Sequence, residues 1–267
     1  KIGEVGYNLK GIATVTRQKY LTASEKGPWA NSYDRWRNDN LTNRYQGVQF
    51  GYTSAGRYTS WNDIWNYYGF KERDVLPGDY KYEDWNGDGE INGQDEHPFA
   101  FDQTPWLQFS LNAGLQWKNF DFNMLLQGSA LGSMEYKEPL HEIWGKNGGG
   151  ALTQFLDRWH PVDPKADPYD PSTVWTSGHY AYTGRWAKNN SAFNRVSTAY
   201  LRLKSIELGY TFPKLKQIPN ASLRVYANAY NLLTFTGVKF VDPEHPDDDL
   251  GRMYPLNKTY TLGVSLS

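Results

Sequence analysis

The segment from Asp84 to Asp95 is the part of the chain whose residue types and spacing point most directly to chemistry. Carboxylate or amide oxygens stand at positions 1, 3, 5, 9 and 12 of this twelve-residue window, and Gly89 stands at position 6. Ca²⁺ loops place hard oxygen ligands at these intervals and a glycine at the sharp turn between them. The pattern predicts a structural Ca²⁺ site whose ligands are Asp84, Asn86, Asp88, Glu90 (through its carbonyl), Asn92 (directly or through water) and Asp95.

Two features of this segment differ from a complete EF-hand. Asp95 stands where an EF-hand loop has a longer, bidentate Glu, as in dockerin-like loops, and no clear pair of amphipathic helices flanks the segment. A run of metal-free Asx turns is the alternative, because Asn-Gly and Asp-Gly pairs form turns without an ion. In either case the segment would stabilise structure and would not define the function.

The composition excludes several classes of protein. The chain has 267 residues, with 28 basic and 29 acidic side chains, which gives no basic surface for nucleic acid. It has no Cys, so disulfide frameworks and thiolate sites are excluded, and it has no apolar run of the roughly 18 residues that a membrane helix needs. Its 11 Trp, 20 Tyr and 12 Phe within a polar chain are typical of carbohydrate-binding proteins and of transmembrane β-barrels.

Alternating apolar and polar residues predict seven antiparallel strands and no long helix. The clearest pair is a hairpin with a tight turn at Lys118-Asn119. A change of phase after Leu203 predicts a bulge near Ser205. The predicted strands cover residues 5–15, 47–57, 107–117, 120–127, 200–212, 223–230 and 259–266.

Strand length and loop length together favour a membrane barrel. A tilted strand needs about 9–11 residues to cross a bilayer, and several of these strands approach that length. Connections at 118–119 and 213–220 are short, whereas those at 58–105, 131–199 and 234–256 are long, which is typical of the periplasmic and extracellular sides of outer-membrane barrels. Residues 17–46 break this alternation. Seven strands cannot close a barrel, so the chain is predicted to be part of a larger one.

No enzyme motif is present in the sequence. The five His residues lack metal-ligand spacing, and Asp247-Asp248-Asp249 is best interpreted as a solvated acidic loop. The loop tryptophans, among them Trp144, Trp159, Trp175 and Trp186, would either stack on sugar rings or pack the loops together. The polar faces of the strands predict a wetted interior lined by Gln108, Asn112, Gln116, Asn123, Gln127, Arg224 and Asn228.

Several sequence blocks, in this order, resemble SusC/RagA-like TonB-dependent outer-membrane transporters of Bacteroidetes. They run from about residue 47 to the end of the chain and resemble the C-terminal part of the barrel. The blocks are Phe50–Ser60, Pro77–Tyr82 leading into Asp84–Asp95, Ala199–Tyr210, Asn231–Thr236, Asp242–Glu244 and Tyr254–Leu256.

This resemblance implies an all-β fold: residues 1–267 would form part of a barrel of roughly 22 strands, whose plug and earlier strands lie outside this sequence. It implies non-enzymatic import of glycan or peptide oligomers, driven through TonB and capped by a SusD-like surface lipoprotein. The barrel would sit in the outer membrane, against lipid or lipopolysaccharide. A soluble Ca²⁺-dependent β-sandwich lectin and a surface adhesion or assembly barrel without transport are the alternatives.

Overall fold

A computed structural model describes residues 4–24, 27–37, 41–67, 75–102, 104–137, 140–141, 143, 152–184, 187–188, 190–213, 221–245 and 251–267. Strands account for most of the regular structure in these ranges. They are β1 (Val5–Val15), β2 (Val48–Gly51), β3 (Ser54–Arg57), β4 (Tyr80–Tyr82), β5 (His97–Phe101), β6 (Leu107–Trp117), β7 (Phe120–Ala130), β8 (Ser133–Glu135), β9 (His160–Pro161), β10 (Trp175–Thr176), β11 (Arg195–Ser197), β12 (Tyr200–Thr211), β13 (Leu223–Thr236) and β14 (Thr259–Leu266).

The helices are short. Two are α-helical, α1 (Ser32–Arg37) and α2 (Trp61–Asn66), and three are single 3₁₀ turns at Gly93–Asp95, Thr153–Leu156 and Ala192–Asn194. Within the described residues, no helix has the length and apolar character needed to cross a membrane.

One antiparallel sheet organises the chain. Its order is β1-β6-β7-β12-β13-β14, so every strand pairs with the strands that precede and follow it in this set. Five of the six strands are 8 to 12 residues long and β13 has 14. The sheet is open within the described residues: the outer edges of β1 and β14 pair with no strand there, as expected for one part of a larger barrel.

The register lines up apolar side chains into continuous rows on one face of this sheet. One row runs Tyr7, Leu115, Phe122, Leu208, Ala227 and Leu262. Several large members of such rows are exposed, with Leu262 at 84 % and Leu9 at 66 %, whereas Phe122 is half-buried. Because every second residue of a strand points to the same face, the alternation in the sequence produces this surface directly, and lipid is the solvent that suits it.

The bulge predicted near Ser205 is confirmed. The register of β12 shifts between Leu203 and Ser205 against both of its neighbours, β7 and β13. The shift brings Leu203 and Ile206 onto the same apolar face although they are three residues apart. The bulge therefore corrects the change of phase in the sequence.

The prediction of a membrane strand over residues 47–57 is wrong. The segment forms two four-residue strands that turn away from the main sheet, with β2 paired to β5 and β3 paired to β4. The main sheet in the described residues accordingly has six strands. Residues 16–106 then form a single connection between neighbours β1 and β6, which removes the anomaly that residues 17–46 posed.

With this correction, long and short connections alternate throughout the main sheet. The long connections are 16–106, 131–199 and 237–258, and the short ones are 118–119 and 212–222. Most of the buried hydrophobic residues lie in the long connections. Their two clusters are centred on Ile64 (with Tyr58 and Val75) and on Phe155 (with Ile143 and Tyr180).

Candidate functional site

The loop Asp84–Asp95 is held by hydrogen bonds from its own backbone to its side-chain oxygens. Asp84, at position 1, accepts from the N–H of Gly87 at 2.8 Å and of Gly89 at 2.7 Å. Gly87 and Gly89 have φ of +76° and +84°, a conformation in which glycine carries no steric penalty. Gly89 therefore makes the sharp turn that its position in the sequence predicts.

The polar residues at alternate positions repeat one local bond. Asn86 accepts from the N–H of Asp88 at 2.9 Å, and Asp88 accepts from the N–H of Glu90 at 2.8 Å. Asn92 accepts in the same way from the N–H of Gln94 at 2.7 Å. These Asx turns are common to both interpretations of the segment, the Ca²⁺ loop and the metal-free loop.

Asp95 closes the loop from a fully buried position. Its two carboxylate oxygens accept from the N–H of Trp85 at 2.9 Å and of Asn92 at 2.8 Å. The N–H of Asn86 also donates to Oδ1 at 3.4 Å. A carboxylate oxygen has two lone pairs, so acceptor capacity is left on Oδ2. The closing role predicted for Asp95 is thus filled by hydrogen bonds to backbone.

The structure does not gather the acidic side chains of the loop into a ready cluster. Across the described ranges, no group of three His, Cys, Asp or Glu side chains is arranged to hold a metal ion. The predicted ligands lie on one short loop, but five of their carboxylate oxygens, both of Asp84, one of Asp88 and both of Asp95, accept from backbone N–H groups. The triplet Asp247-Asp248-Asp249 lies outside the described residues.

Helix α1 packs against this loop and accounts for part of the segment 17–46. Tyr33 donates its hydroxyl to the carbonyl of Gln94 at 3.1 Å, and Arg37 donates to the carbonyl of Gly93 at 2.7 Å. The Trp36 ring is parallel to the Trp85 ring, with centroids 6.5 Å apart, and Trp85 stacks on His97 at 3.7 Å. These contacts stabilise the loop from outside its own sequence.

The polar side chains predicted to line the interior share one face of the main sheet, which we call the lumenal face. The register places Gln108, Asn112 and Gln116 of β6 on the same face as their counterparts on β7 and β13. Arg224 there donates to Asp121 at 3.0 Å and to Glu207 at 2.7 Å. This face therefore carries a charged network that spans three strands.

A second ionic cluster on this face joins the wall to the last long connection. Arg202, only 2 % exposed, donates to Asp242 at 2.7 Å, and Lys204 donates to Glu244 at 2.9 Å. The sequence pattern predicts the two basic residues on a strand and the two acidic residues in a loop, and it does not pair them. The sequence did offer a signal: the block Ala199–Tyr210 carries the two basic residues, and the block Asp242–Glu244 carries the two acidic residues.

The same region lines an open cavity of about 620 Å³ on the lumenal face. Pro243 and Glu244 of the last long connection line it, and Gln108 and Gln127 are among its polar walls. Thr14, Ser110, Ser129 and Tyr200 add hydroxyl groups. The lining therefore offers hydrogen-bond donors and acceptors together with one acidic side chain, Glu244.

Three curated relatives are TonB-dependent receptors. Receptor P3 of Formosa agariphila is 28 % identical over 209 residues, which is 72 % of this chain and 19 % of the relative. Receptor P26 of the same organism is 27 % identical, covering 84 % of this chain and 22 % of the relative. SusC of Bacteroides thetaiotaomicron is 26 % identical, covering 77 % of this chain and 19 % of the relative. No protein-family model matches the sequence.

Two solved structures of similar fold are states of a RagAB peptide transporter. The RagAB peptide transporter superposes with a TM-score of 0.64 at 15 % identity, covering 99 % of this chain and 27 % of that chain. The closed-closed state of the RagAB peptide importer gives 0.60 at 17 % identity, with the same coverage. At such identities the likeness concerns the fold.

The chain spans about a fifth of the length of its curated relatives. A piece of a large barrel would have an open sheet and an apolar outer face, and it would match such relatives over part of their length. This chain has all three properties. The resemblance found in the sequence is confirmed: in sequence and in fold, this chain is similar to the SusC/RagA-like TonB-dependent transporters, and its sheet is one part of such a barrel.

Proposed function

We propose that this chain is a wall segment of an outer-membrane importer that takes up nutrient oligomers in a Gram-negative bacterium of the Bacteroidetes type. The observation that carries the proposal is the six-stranded sheet in the described residues, with apolar rows on one face and polar side chains on the other. Such a sheet fits a bilayer on its outside and water on its inside. The TonB-dependent relatives support the same function.

In this proposal the chain forms part of the path that an oligomer takes through the membrane, and it catalyses no reaction. The lumenal face provides Gln108, Gln127 and the Arg224 network as a wetted surface along which an oligomer can exchange hydrogen bonds. TonB would act on a plug encoded elsewhere in the full-length protein, and the rest of the barrel would complete the wall. The lipid or lipopolysaccharide of the outer membrane would contact the apolar rows.

A SusD-like surface lipoprotein is the proposed partner on the outside. The long connections 16–106, 131–199 and 237–258 all lie on one side of the sheet and hold most of the buried hydrophobic residues described for the chain. A folded platform of this size suits the docking of a lid protein. Copurification of full-length protein with a lipoprotein identified by mass spectrometry as SusD-like would support this part.

We also propose that Ca²⁺ stabilises the loop Asp84–Asp95. Support comes from the spacing of its oxygen ligands, from the positive φ of Gly87 and Gly89, and from the acceptor capacity left on Asp84 and Asp95. The ion would compensate the negative charge of this loop. It takes no part in transport.

The two alternatives, a β-sandwich lectin and a surface adhesion barrel, differ in how well they match the observed sheets. A β-sandwich lectin needs a second sheet packed on the first, whereas the other sheets in the described residues have two strands each. A surface adhesion barrel would share every feature of the wall. Dependence of uptake on TonB distinguishes it from an importer.

The test is genetic and uses the full-length gene. Its deletion is expected to abolish growth on one class of oligomer while growth on the corresponding monomers continues, and loss of TonB should have the same effect. Growth that is unchanged on every oligomer, or uptake that persists without TonB, would contradict the proposed import.

A further inference from the structure

The loop Asp84–Asp95 contains two Asn-Gly pairs, Asn86-Gly87 and Asn92-Gly93. In such a pair the backbone nitrogen of the glycine can attack the side-chain amide carbon of the asparagine, because glycine has no side chain to shield that nitrogen. The two pairs are alike in accessibility, since both asparagines are half-buried and both glycines are exposed. A difference in their reactivity must therefore come from hydrogen bonds and charges.

Both asparagine amides are held over the peptide bond that follows them. Asn86 Oδ1 accepts from the N–H of Asp88 at 2.9 Å, and Asn92 Oδ1 accepts from the N–H of Gln94 at 2.7 Å. Each of these Asx turns encloses the glycine nitrogen between the two bonded groups. The N–H at Oδ1 also stabilises the negative charge that develops on this oxygen during attack. The amide carbon is thus positioned alike in both pairs.

The glycine nitrogens differ in their hydrogen bonds. The N–H of Gly87 donates to Asp84 Oδ1 at 2.8 Å, and the N–H of Gly89 donates to Asp84 Oδ2 at 2.7 Å. A glycine nitrogen must lose its proton before it attacks, and a carboxylate bonded to that proton disfavours the resulting anion. The N–H of Gly93 has no acceptor in the part of the chain that the structure describes.

The charges near the two glycines differ as well. Asp95 Oδ2 accepts from the N–H of Asn92 at 2.8 Å, and Arg37 of α1 donates to the carbonyl of Gly93 at 2.7 Å. A negative and a positive charge therefore both lie close to Gly93, and their effects on a nearby anion oppose each other. At Gly87 a carboxylate is bonded directly to the nitrogen that would attack.

We propose that Asn92 is a site of spontaneous deamidation and that the neighbouring Asn86 is protected from it. The nitrogen of Gly93 gives its proton to hydroxide and forms a bond to Asn92 Cγ. The Cγ–Nδ2 bond breaks, and the amide nitrogen leaves as ammonia with a proton taken from water. Water then opens either carbonyl of the succinimide ring, which leaves aspartate or isoaspartate at position 92. The inference rests on this loop alone and is independent of the proposed import.

The two products change the loop in different ways. Aspartate keeps an oxygen for the N–H of Gln94 and adds a negative charge to a loop that already has four acidic residues. Isoaspartate routes the backbone through the former side chain, so Gly93 and Gln94 shift relative to Asp95. These two residues carry the carbonyls to which Arg37 and Tyr33 donate. Isoaspartate is therefore expected to loosen α1 from the loop.

The test is ageing of the full-length protein, purified in detergent, in mildly alkaline buffer without added Ca²⁺. Trypsin leaves both asparagines in one fragment, because no Lys or Arg lies between Lys81 and Lys118, so tandem mass spectrometry compares them in the same molecule. Asn92 is expected to react about 10-fold faster than Asn86, because a hydrogen bond to a charged group must first be broken at Gly87. In protein aged in urea, where the loop is unfolded, the two rates should be similar.

Gly93→Ala tests the route of the reaction. An added Cβ at Gly93 meets no atom within 4 Å and Gly93 does not have a positive φ, so Ala fits the folded loop while it shields the nitrogen. The variant should slow the loss of Asn92 several-fold and leave Asn86 unchanged. Equal rates for the two asparagines in the folded protein, no conversion of Asn92, or an unchanged rate in Gly93→Ala would overturn the proposal.

Hydrogen exchange checks the effect on α1. Protection of residues 33–37 should fall as isoaspartate accumulates in the aged wild type, and it should persist in Gly93→Ala aged in parallel. Protection that falls equally in both proteins would reject the loosening of α1.

Discussion

Arg202 on β12 and Asp242 in the last long connection form a buried ion pair, with Arg202 Nη2 donating to Asp242 Oδ1 at 2.7 Å. The two side chains are 2 % and 9 % exposed. Arg202 also lies 3.7 Å from Glu244. The pair ties an outer loop to the lumenal face of the wall, so it couples the position of that loop to the barrel interior.

Breaking this pair from one side is expected to release the loop. Arg202→Met leaves Asp242 buried without its cation, a change that costs about 3–5 kcal/mol for a buried pair. Limited proteolysis of the full-length protein should then cut within residues 237–258. Lys204→Met is the control, because Lys204 is 31 % exposed and its bond to Glu244 is less buried. Equal protection of both variants and wild type would contradict the coupling.

Removal of Ca²⁺ is expected to loosen the loop Asp84–Asp95. EDTA should raise protease sensitivity between about Pro77 and Pro98, and Asp88→Ala should raise it even in Ca²⁺, because one proposed ligand is lost. Asp170→Ala is the matched control, since Asp170 caps a similar turn at Ser172 outside this loop. A cleavage pattern that EDTA does not change would remove the ion from the proposal.

The cluster around Ile64 is expected to weaken in acid. Burial alone would raise the pKa of Asp63, but hydrogen bonds from Lys81 at 2.7 Å and from Thr59 outweigh it and lower the pKa. A carboxyl with a lowered pKa stabilises the fold above its ordinary value of 3.8, and this contribution is lost as the pH falls through the folded-state value.

Hydrogen exchange measures this effect directly. Protection of residues 58–66, corrected for intrinsic exchange rates, should fall between about pH 4 and pH 2 in the wild type. Asp63→Asn should have less protection at pH 6 and no further loss in that window. A wild-type protein whose protection is flat across the window would refute the role of Asp63.

Two glycines with similar positive φ allow the cost of backbone strain to be measured apart from the cost of a steric clash. Gly78 and Gly56 have φ of +94° and +97°, but an added Cβ meets Trp159 at Gly78 and open space at Gly56. Gly56→Ala should cost about 1–2 kcal/mol from backbone strain alone. Gly78→Ala should cost about 1–3 kcal/mol more, because Trp159 must shift. Local stability from hydrogen exchange of residues 57–59 and 76–80 checks the difference, and equal losses would contradict it.

Neighbouring residues of β14 test the orientation of the wall. Leu262 belongs to an apolar row, whereas Thr261 pairs with Asn228 on the lumenal face. Leu262→Arg should destabilise the barrel by about 2–4 kcal/mol near the bilayer centre, and Thr261→Arg should be tolerated. Urea unfolding of the full-length protein in lipid vesicles measures both. The reverse order of stability would mean that the faces are assigned the wrong way round.

Local patterns predicted the wall well, and distant contacts explain what they missed. The hairpin of β6 and β7 and the bulge at Ser205 depend on alternation within a strand, which is visible in a single segment. Residues 47–57 have a composition similar to that of the membrane strands. Whether they join the main sheet depends on their pairing partners at 80–101, which no local pattern identifies.

The same holds for the candidate sites. The turns of the loop Asp84–Asp95 were predictable because its polar residues and glycines all lie within twelve residues, whereas α1 beside it was not. Trp61 lines the same cavity as Trp159 and Trp175, which lie about a hundred residues further along the chain, and Arg202 pairs with Asp242 across 40 residues. Such encounters are set by the order of strands in the sheet. Sequence spacing alone does not reveal them.

The pairing of β1 with β6 has a consequence for how such proteins diversify. Topologically, residues 16–106 are the loop of a hairpin, since the strands on either side are direct neighbours. Each doubling of a flexible loop adds only about 0.6 kcal/mol of closure entropy. A lineage can therefore exchange or enlarge this excursion, the loop Asp84–Asp95 included, while the strands beneath it keep their register.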